Sequence, residues 1–305
     1  MARIVVTGGA GFIGSHVVDE LISAGHSVCV VDDLSSGTLE NLKQHKSLDV
    51  HRIDILDSRS LAMAMMGAHA VVHLAAKTSV AESVANPELY LRVNILGIAS
   101  VLETAKKCGV RRVVFASSAA VYGNPVRVPT REEDAVAPML SPYAVSKRAG
   151  EELCQYYSTQ GVQTVSLRFF NVYGPRQDPR SEYAGVISAF IDRARRLQPL
   201  IINGDGEQTR DFVYVKDVAR VIHLALESAT DGEVFNIGSG VATRISDLAV
   251  ALIKASGAKC LIQHGPYRPG DIMHSVADIT KARRLLRYEP TTSLAEGLKD
   301  TMTKA

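Results

Sequence analysis

Tyr143 and Lys147 stand four residues apart in Ser141-Pro142-Tyr143-Ala144-Val145-Ser146-Lys147. Ser141 is a good helix N-cap and Pro142 suits a first turn, so the segment predicts a helix start. Tyr143 and Lys147 then share one helix face. A phenol has an ordinary pKa of about 10, and using it as a base near neutral pH means stabilising the phenolate by roughly 4 kcal/mol. A neighbouring ammonium group and a helix N-terminus both pull in that direction. Tyr-x-x-x-Lys arises by chance on many helix surfaces. Its weight here comes from position, just after a strand pattern that ends in Ser117-Ser118.

A second constellation lies at the start of the chain. Gly8, Gly11 and Gly14 form G-x-x-G-x-x-G, enclosing Phe12 and Ile13, between a strand pattern and a helix pattern. In that context glycines let the backbone turn tightly and approach a pyrophosphate, which the helix N-terminus favours. The next strand pattern ends in Val31-Asp32-Asp33. A carboxylate there accepts hydrogen bonds from an adenosine ribose 2′-hydroxyl and repels a 2′-phosphate, which points to NAD rather than NADP. Asp32 is the first choice, and Asp33 could share the role.

The elements that must carry these groups read as an alternation. Strand patterns cover Arg3–Thr7, Ser27–Val31, Asp49–Asp54, Ala70–Leu74, Arg112–Ser117 and Gln163–Arg168, rich in Val and Ile as strands buried on both faces should be. Helix patterns lie between them at Gly11–Ala24, Ser58–Met66, Pro87–Lys107 and Pro142–Gln160. The alternation predicts an α/β fold, a doubly wound, Rossmann-like parallel sheet. After about residue 170 turn signals crowd in and strands shorten, so residues 171–305 read as a smaller α/β substrate-binding portion. It follows a dinucleotide-binding domain of residues 1–170, with some later segments returning to the sheet.

Composition sets limits. The 305 residues carry a formal charge of +2, which predicts no strong pull toward nucleic acid or anionic lipid. Cys29, Cys108, Cys154 and Cys260 lie far apart with no C-x-x-C pair, as expected of reduced cytoplasmic thiols rather than a disulfide frame or a metal site. His73, His223 and His274 lack metal spacing and read as packing or capping residues, so no metal is expected. Arg193, Arg195 and Arg196 read as a solvated helix face. The chain opens on a strand pattern rather than a signal peptide, and no apolar run approaches a membrane span.

Taken together, Thr7-Gly8-Gly9-Ala10-Gly11-Phe12-Ile13-Gly14, the Ser118/Tyr143/Lys147 trio and Arg168-Phe169-Phe170-Asn171-Val172-Tyr173-Gly174-Pro175 resemble the extended short-chain dehydrogenase/reductase family. Within it the likeness is to the UDP-glucose (UDP-galactose) 4-epimerases, and it runs from Ile4 to about Glu296. The resemblance implies that Tyr143 takes the proton from a sugar 4-hydroxyl, that Ser118 shares that hydrogen bond, and that Lys147 binds the nicotinamide ribose and lowers the tyrosine pKa. It implies that Asp54 and Ile55 flank the adenine, that Ala75, Lys77 and Asn94 touch the cofactor, and that Phe170 lies by the nicotinamide. Asn171 would meet the substrate, and Arg210 and Arg268, the latter shortly before Asp271, would grip the UDP diphosphate. A planar guanidinium meets phosphate oxygens two at a time. Relatives dimerise through the helices matching Pro87–Lys107 and Pro142–Gln160, so a homodimer is implied.

The same resemblance sorts reactions. Sugar dehydratases of this superfamily carry an Asp-Glu pair after the serine, and related decarboxylases keep a Glu. This chain has Ala119-Ala120, and alanine moves no proton. Epimerases restricted to plain hexoses have a tyrosine at the position matching Ser275. A small residue there leaves room for a 2-acetamido group, so UDP-GlcNAc and UDP-GalNAc are expected substrates beside UDP-Glc and UDP-Gal. A UDP-glucuronate 4-epimerase, a net dehydrogenase or reductase, and a non-enzymatic NAD-binding regulator are the rival readings.

Overall fold

The computed structural model describes residues 1–134, 138–178, 185–267 and 270–304. Six strands lead the chain: Arg3–Thr7 (β1), Ser27–Asp32 (β2), Leu48–Arg52 (β3), Ala70–His73 (β4), Arg112–Ser118 (β5) and Gln163–Phe169 (β6). Asn171–Tyr173 (β7), Leu200–Asn203 (β8), Thr209–Arg210 (β9) and Phe212–Tyr214 (β10) follow. Then come Glu233–Ile237 (β11), Thr243–Arg244 (β12), Ile262–Gly265 (β13) and His274–Ser275 (β14). β1–β6 and β11 form one parallel sheet in the order β3-β2-β1-β4-β5-β6-β11. The order reverses between β1 and β4, the crevice where open α/β sheets bind their ligands. The expected doubly wound sheet is present, and its last strand comes from the second half of the chain.

The helices are Phe12–Ser23 (α1), Ser58–Met65 (α2), Val80–Ala85 (α3), Pro87–Leu91 (α4), Gly97–Lys107 (α5), Pro142–Ser158 (α6), Val186–Arg195 (α7), Val215–Glu227 (α8), Ile245–Ser256 (α9), Thr280–Leu286 (α10) and Leu294–Lys304 (α11). Side chains alternate across a strand, so each central strand feeds two cores. Ile4 and Val6 meet Val17 and Leu21 of α1 and Val218 and Ile222 of α8 on one face. Val5, Cys29 and Val31 meet Leu61 of α2, Val101 of α5 and Cys154 of α6 on the other. A third core, with Phe190 of α7, Leu248 of α9 and Leu298 of α11, belongs to the later elements.

Two expectations need correcting. The pattern at Asp49–Asp54 was expected to be a strand buried on both faces. β3 ends at Arg52 and is half exposed, because it is the sheet's edge and Asp49, Val50 and Arg52 face solvent. The helix expected over Pro87–Lys107 is interrupted at Arg92–Leu96 by a π-helical turn. Such single turns displace one backbone register and often mark functional positions.

Candidate active site

The glycine turn sits at the switch point of the sheet. Gly8 has φ +71°, and a Cβ there would stand 2.7 Å from the Ala75 backbone nitrogen after β4. A Cβ on Gly14 would land on the Gly8 carbonyl oxygen, and one on Gly11 would come within 3.2 Å of the same atom. The turn is therefore as tight as glycine allows, with α1 starting directly behind it. Asp32 ends β2 beside this turn and is 7% exposed. Its Oδ2 accepts from the Ala10 amide at 2.9 Å and its Oδ1 from the Leu34 amide at 2.9 Å. Burial raises its pKa, and those two amides oppose the rise. Asp33 turns outward and caps Ser35, so Asp32 is the carboxylate held against the glycine turn. This cradle and its acceptor fit a dinucleotide bearing a free ribose hydroxyl. Phe12 stands edge-on to His16 and Ile13 packs on two cores.

The Tyr143 helix forms as its sequence dictates. The Ser141 hydroxyl accepts the Ala144 amide at 3.2 Å, and Pro142 opens the first turn. Tyr143 and Lys147 are both buried, on the face of α6 that meets β5. The Lys147 Nζ donates to the Ala116 carbonyl of β5 at 2.8 Å, 5.8 Å from the centre of the Tyr143 ring and 5.2 Å from that of Phe115. An ammonium carries three donors, so two remain for a ligand. Burial brings Lys147 down to about 8 while Glu151 pushes the other way. Burial also pushes the Tyr143 phenol up, and the Ser118 hydroxyl beside it pulls it partway back. Ser118 ends β5 and caps the short turn Ala119–Tyr122 by accepting the Ala120 amide at 3.2 Å.

Asn94 lies in the π turn, and its side chain is fully engaged. Its Oδ1 accepts the Lys77 amide at 2.8 Å, and its Nδ2 donates to the Lys77 carbonyl at 2.9 Å and to Ser146 Oγ at 2.9 Å. Asn94 therefore ties the loop after β4 to α6, one residue before Lys147. Ala75 lies against Gly8, its amide 3.4 Å from Thr7 Oγ1. Asp54 is exposed and caps Leu56, whereas Ile55 is a core residue beneath Gly97.

A cavity of about 380 Å³ opens among the later elements and gathers Asn171, Arg210 and Asp271, with Gln208 and Ile245. Arg210 donates to Asp271 Oδ1 at 2.5 Å and to the Thr209 carbonyl at 2.9 Å. Burial lowers the Arg210 pKa and Asp271 counters it. Asn171 Nδ2 donates to the Asp211 carbonyl at 3.2 Å, and Phe170 is buried against Tyr122. Ser275 of β14 is the register partner of Arg210 in β9. Arg268 lies outside the described residues.

The glycine turn, the buried Tyr143–Lys147 pair and this cavity share one carboxyl edge of the sheet, and comparison with known sequences decides the family. Residues 4–238 match the NAD dependent epimerase/dehydratase family. The chain belongs to that family. It is 41% identical over 306 residues to a UDP-glucose 4-epimerase of Mycolicibacterium smegmatis, covering 98% of this chain and 97% of the relative. It superposes on the UDP-glucose 4-epimerase of Thermotoga maritima solved with UDP-glucose, with a TM-score of 0.93, 42% identity and coverage of 99% and 97%. It superposes equally on the UDP-N-acetylglucosamine 4-epimerase of Methanobrevibacter ruminantium in complex with UDP-N-acetylmuramic acid, with a TM-score of 0.95, 37% identity and coverage of 99% and 97%. This member of the epimerase/dehydratase family is thus an NAD-dependent enzyme. Among its described residues no helix is long and apolar enough to cross a membrane.

The family member also carries polar groups that spacing alone did not single out. Glu151 lies two turns beyond Tyr143 and is 1% exposed. Its two oxygens accept from Arg168 Nε and a terminal nitrogen at 2.8 Å each, and Oε1 also accepts from Ser117 at 2.5 Å. Arg168 donates on to the Tyr122 hydroxyl at 2.7 Å, and Tyr122 to Asn236 at 2.6 Å. The i, i+8 spacing from Tyr143 and the Arg168 already quoted in its motif were the available signals. Asp211, next to Arg210, is fully buried and accepts from Ser239, Gly240 and Ala277. It fastens the strand bearing Arg210 to the Gly238-Ser239-Gly240 turn. His73 is buried neutral, held at about 3 by burial and then Lys147, bonded to Thr7 at 2.7 Å and stacked on Phe115.

Proposed function

We propose that the chain is a 4-epimerase of UDP-hexoses that acts on UDP-Glc/UDP-Gal and also on UDP-GlcNAc/UDP-GalNAc. The observation that carries this reading is the buried Tyr143–Lys147 pair of α6 beside half-buried Ser118 at the end of β5, which is followed by Ala119 and Ala120 that offer no second acid or base.

Tyr143 takes the proton of the sugar 4-hydroxyl and later returns it, with Ser118 sharing that hydrogen bond. Lys147 anchors its ammonium on Ala116 and presents its remaining hydrogens to the nicotinamide ribose. Bound NAD⁺ supplies the hydride acceptor and donor at C4 and a positive ring that adds to the pull of Lys147 on the phenolate. The glycine turn holds the pyrophosphate and Asp32 the adenosine ribose. Phe12, Ile13, Asp54, Ile55, Ala75, Lys77, Asn94 and Phe170 shape the cofactor site, Asn94 acting through Lys77 and Ser146.

Arg210 and Arg268 grip the diphosphate, so that a 4-keto sugar turns over on its tether without leaving. For Arg210 this means exchanging Asp271 for phosphate oxygens or sharing with both. Asn171 meets the sugar or phosphates, and Ser275, next to Arg210 in the sheet, leaves space for an N-acetyl group. Exposed Val84, Leu89, Leu91, Val145 and Tyr156 on α3, α4 and α6, with Leu96 of the π turn, support a homodimer through these elements. We place the enzyme in the cytoplasm on its separated thiols.

The experiment is to incubate purified holoenzyme with UDP-Glc in the absence of added cofactor and follow absorbance of reduced nicotinamide alongside product. The reading predicts UDP-Gal with no net accumulation of reduced cofactor. Stoichiometric reduced cofactor, with an oxidised sugar as product, would replace it with a dehydrogenase.

A further inference from the structure

Away from this site, α1 and α8 bring three metal-ligating side chains together. His26, in the turn after α1, lies by His223 and Glu227, and one ligand atom from each falls within 4.8 Å of the others. His223 and Glu227 are i, i+4 on α8 and share a face. The two imidazoles cross edge to face with centres 5.3 Å apart.

Two further observations point to a ligand. Nδ1 of His26 and Nε2 of His223 are both shielded from solvent and neither has a hydrogen-bond partner. Burying such a nitrogen without a partner is unfavourable, and few buried polar groups are left so. On its other side His223 turns Nδ1 toward Glu20 Oε1 of α1 at 3.4 Å. With the proton on Nδ1, the Nε2 lone pair faces Glu227, 3.4 Å away. A carboxylate behind an imidazole is the arrangement that orients a metal-ligating histidine. The charged groups around the pair are Glu20, Glu227 and the N-terminal amine.

We propose that His26, His223 and Glu227 form a site for one divalent transition-metal ion, with Glu20 orienting His223. Two imidazoles and a carboxylate suit Zn²⁺ and leave a fourth position for water. The ion clamps the C-terminal end of α1 to α8. His223 shows no metal spacing in the sequence because it meets His26 only through the fold.

The test uses the full chain, stripped with EDTA and desalted, titrated with ZnCl₂ by calorimetry and by thermal unfolding. One ion per chain and a rise in unfolding midpoint of about 4 °C at a hundredfold excess over Kd are expected. MgCl₂ should give no rise. His26→Ala and His223→Ala should each remove the stoichiometric binding, and Glu227→Gln, at an exposed position, should weaken it at least about tenfold. Co²⁺ should bind the wild type with visible d–d absorption that is absent from His223→Ala. No stoichiometric binding by the wild type overturns the proposal. Binding that survives both histidine substitutions assigns the ion to thiols or other surface groups and overturns it equally.

Discussion

Lys147 keeps its ammonium on the Ala116 carbonyl at 2.8 Å and stands 5.8 Å from the centre of the Tyr143 ring. At an effective dielectric of about 20, a charge at that range contributes roughly 3 kcal/mol. Bringing a phenol from pKa about 10 to 7 takes roughly 4 kcal/mol, and burial of Tyr143 adds to the demand. On the proposed mechanism Lys147 alone is insufficient, and the positive cofactor ring and Ser118 have to make up the difference. Tyr143→Phe should therefore lower kcat by about 10²–10⁴-fold while NAD stays bound, since the glycine turn and Asp32 are untouched. Cofactor content and turnover check this together, and unchanged turnover would remove Tyr143 as the base.

Glu151 raises the Lys147 pKa and should thereby set the alkaline side of the pH profile. Lys147, pushed down to about 8, is charged below that pH and neutral above it. kcat/KM should fall as pH rises through about 8, when the ammonium that supports the phenolate is lost. Glu151→Gln removes the group that pushes the Lys147 pKa up, so the alkaline limb should move to lower pH. It should also destabilise the fold by about 3–5 kcal/mol, because Arg168 is left buried without its carboxylate. A destabilised variant with an unshifted profile would give Glu151 a purely structural role.

His16 of α1 lies buried against the turn after β7, with Nε2 2.9 Å from the Pro175 carbonyl. Burial holds its pKa at about 4 against an ordinary 6.5. The unfolded chain takes up this proton below pH 6.5 and the folded chain does not until about pH 4. Its contribution to stability is therefore full above 6.5 and is lost as pH falls, by about 1.4 kcal/mol per pH unit. Denaturant unfolding of wild type and His16→Gln at pH 7, 6 and 5 should show a shallower loss in the variant. Parallel curves would contradict the assignment.

Ser275 pairs with Arg210 across neighbouring strands. A tyrosine there would fill volume beside the arginine proposed to hold the diphosphate. Ser275→Tyr should lose UDP-GlcNAc turnover by at least about tenfold and keep UDP-Glc turnover, as read from kcat/KM for each. Equal retention of both would remove Ser275 as a gate.

What the sequence made legible was local. The glycine turn, Asp32, Ser118 and the Tyr143/Lys147 pair are set by short spacings next to strand and helix signals, and the fold places them as those spacings require. The sheet was legible because its central strands are unbroken apolar runs, whereas β3 misled because an edge strand need not be apolar. Asn94 was matched to the cofactor, yet its amide is taken by Lys77 and Ser146, a pairing made by the π turn that no helical periodicity announces. Glu151 with Arg168, Asp211 with Ala277, and His26 with His223 join residues far apart in the chain, so only the fold brings them together.

The most direct measurement is NMR of the products after separate incubation of the purified protein with UDP-Glc, UDP-GlcNAc and UDP-GlcA. The account predicts the 4-epimers of UDP-Glc and UDP-GlcNAc, each approached from either side of the equilibrium. Formation of a 4-epimer from UDP-GlcA alone would move the enzyme to uronates, and no 4-epimer from any of the three would contradict the central claim.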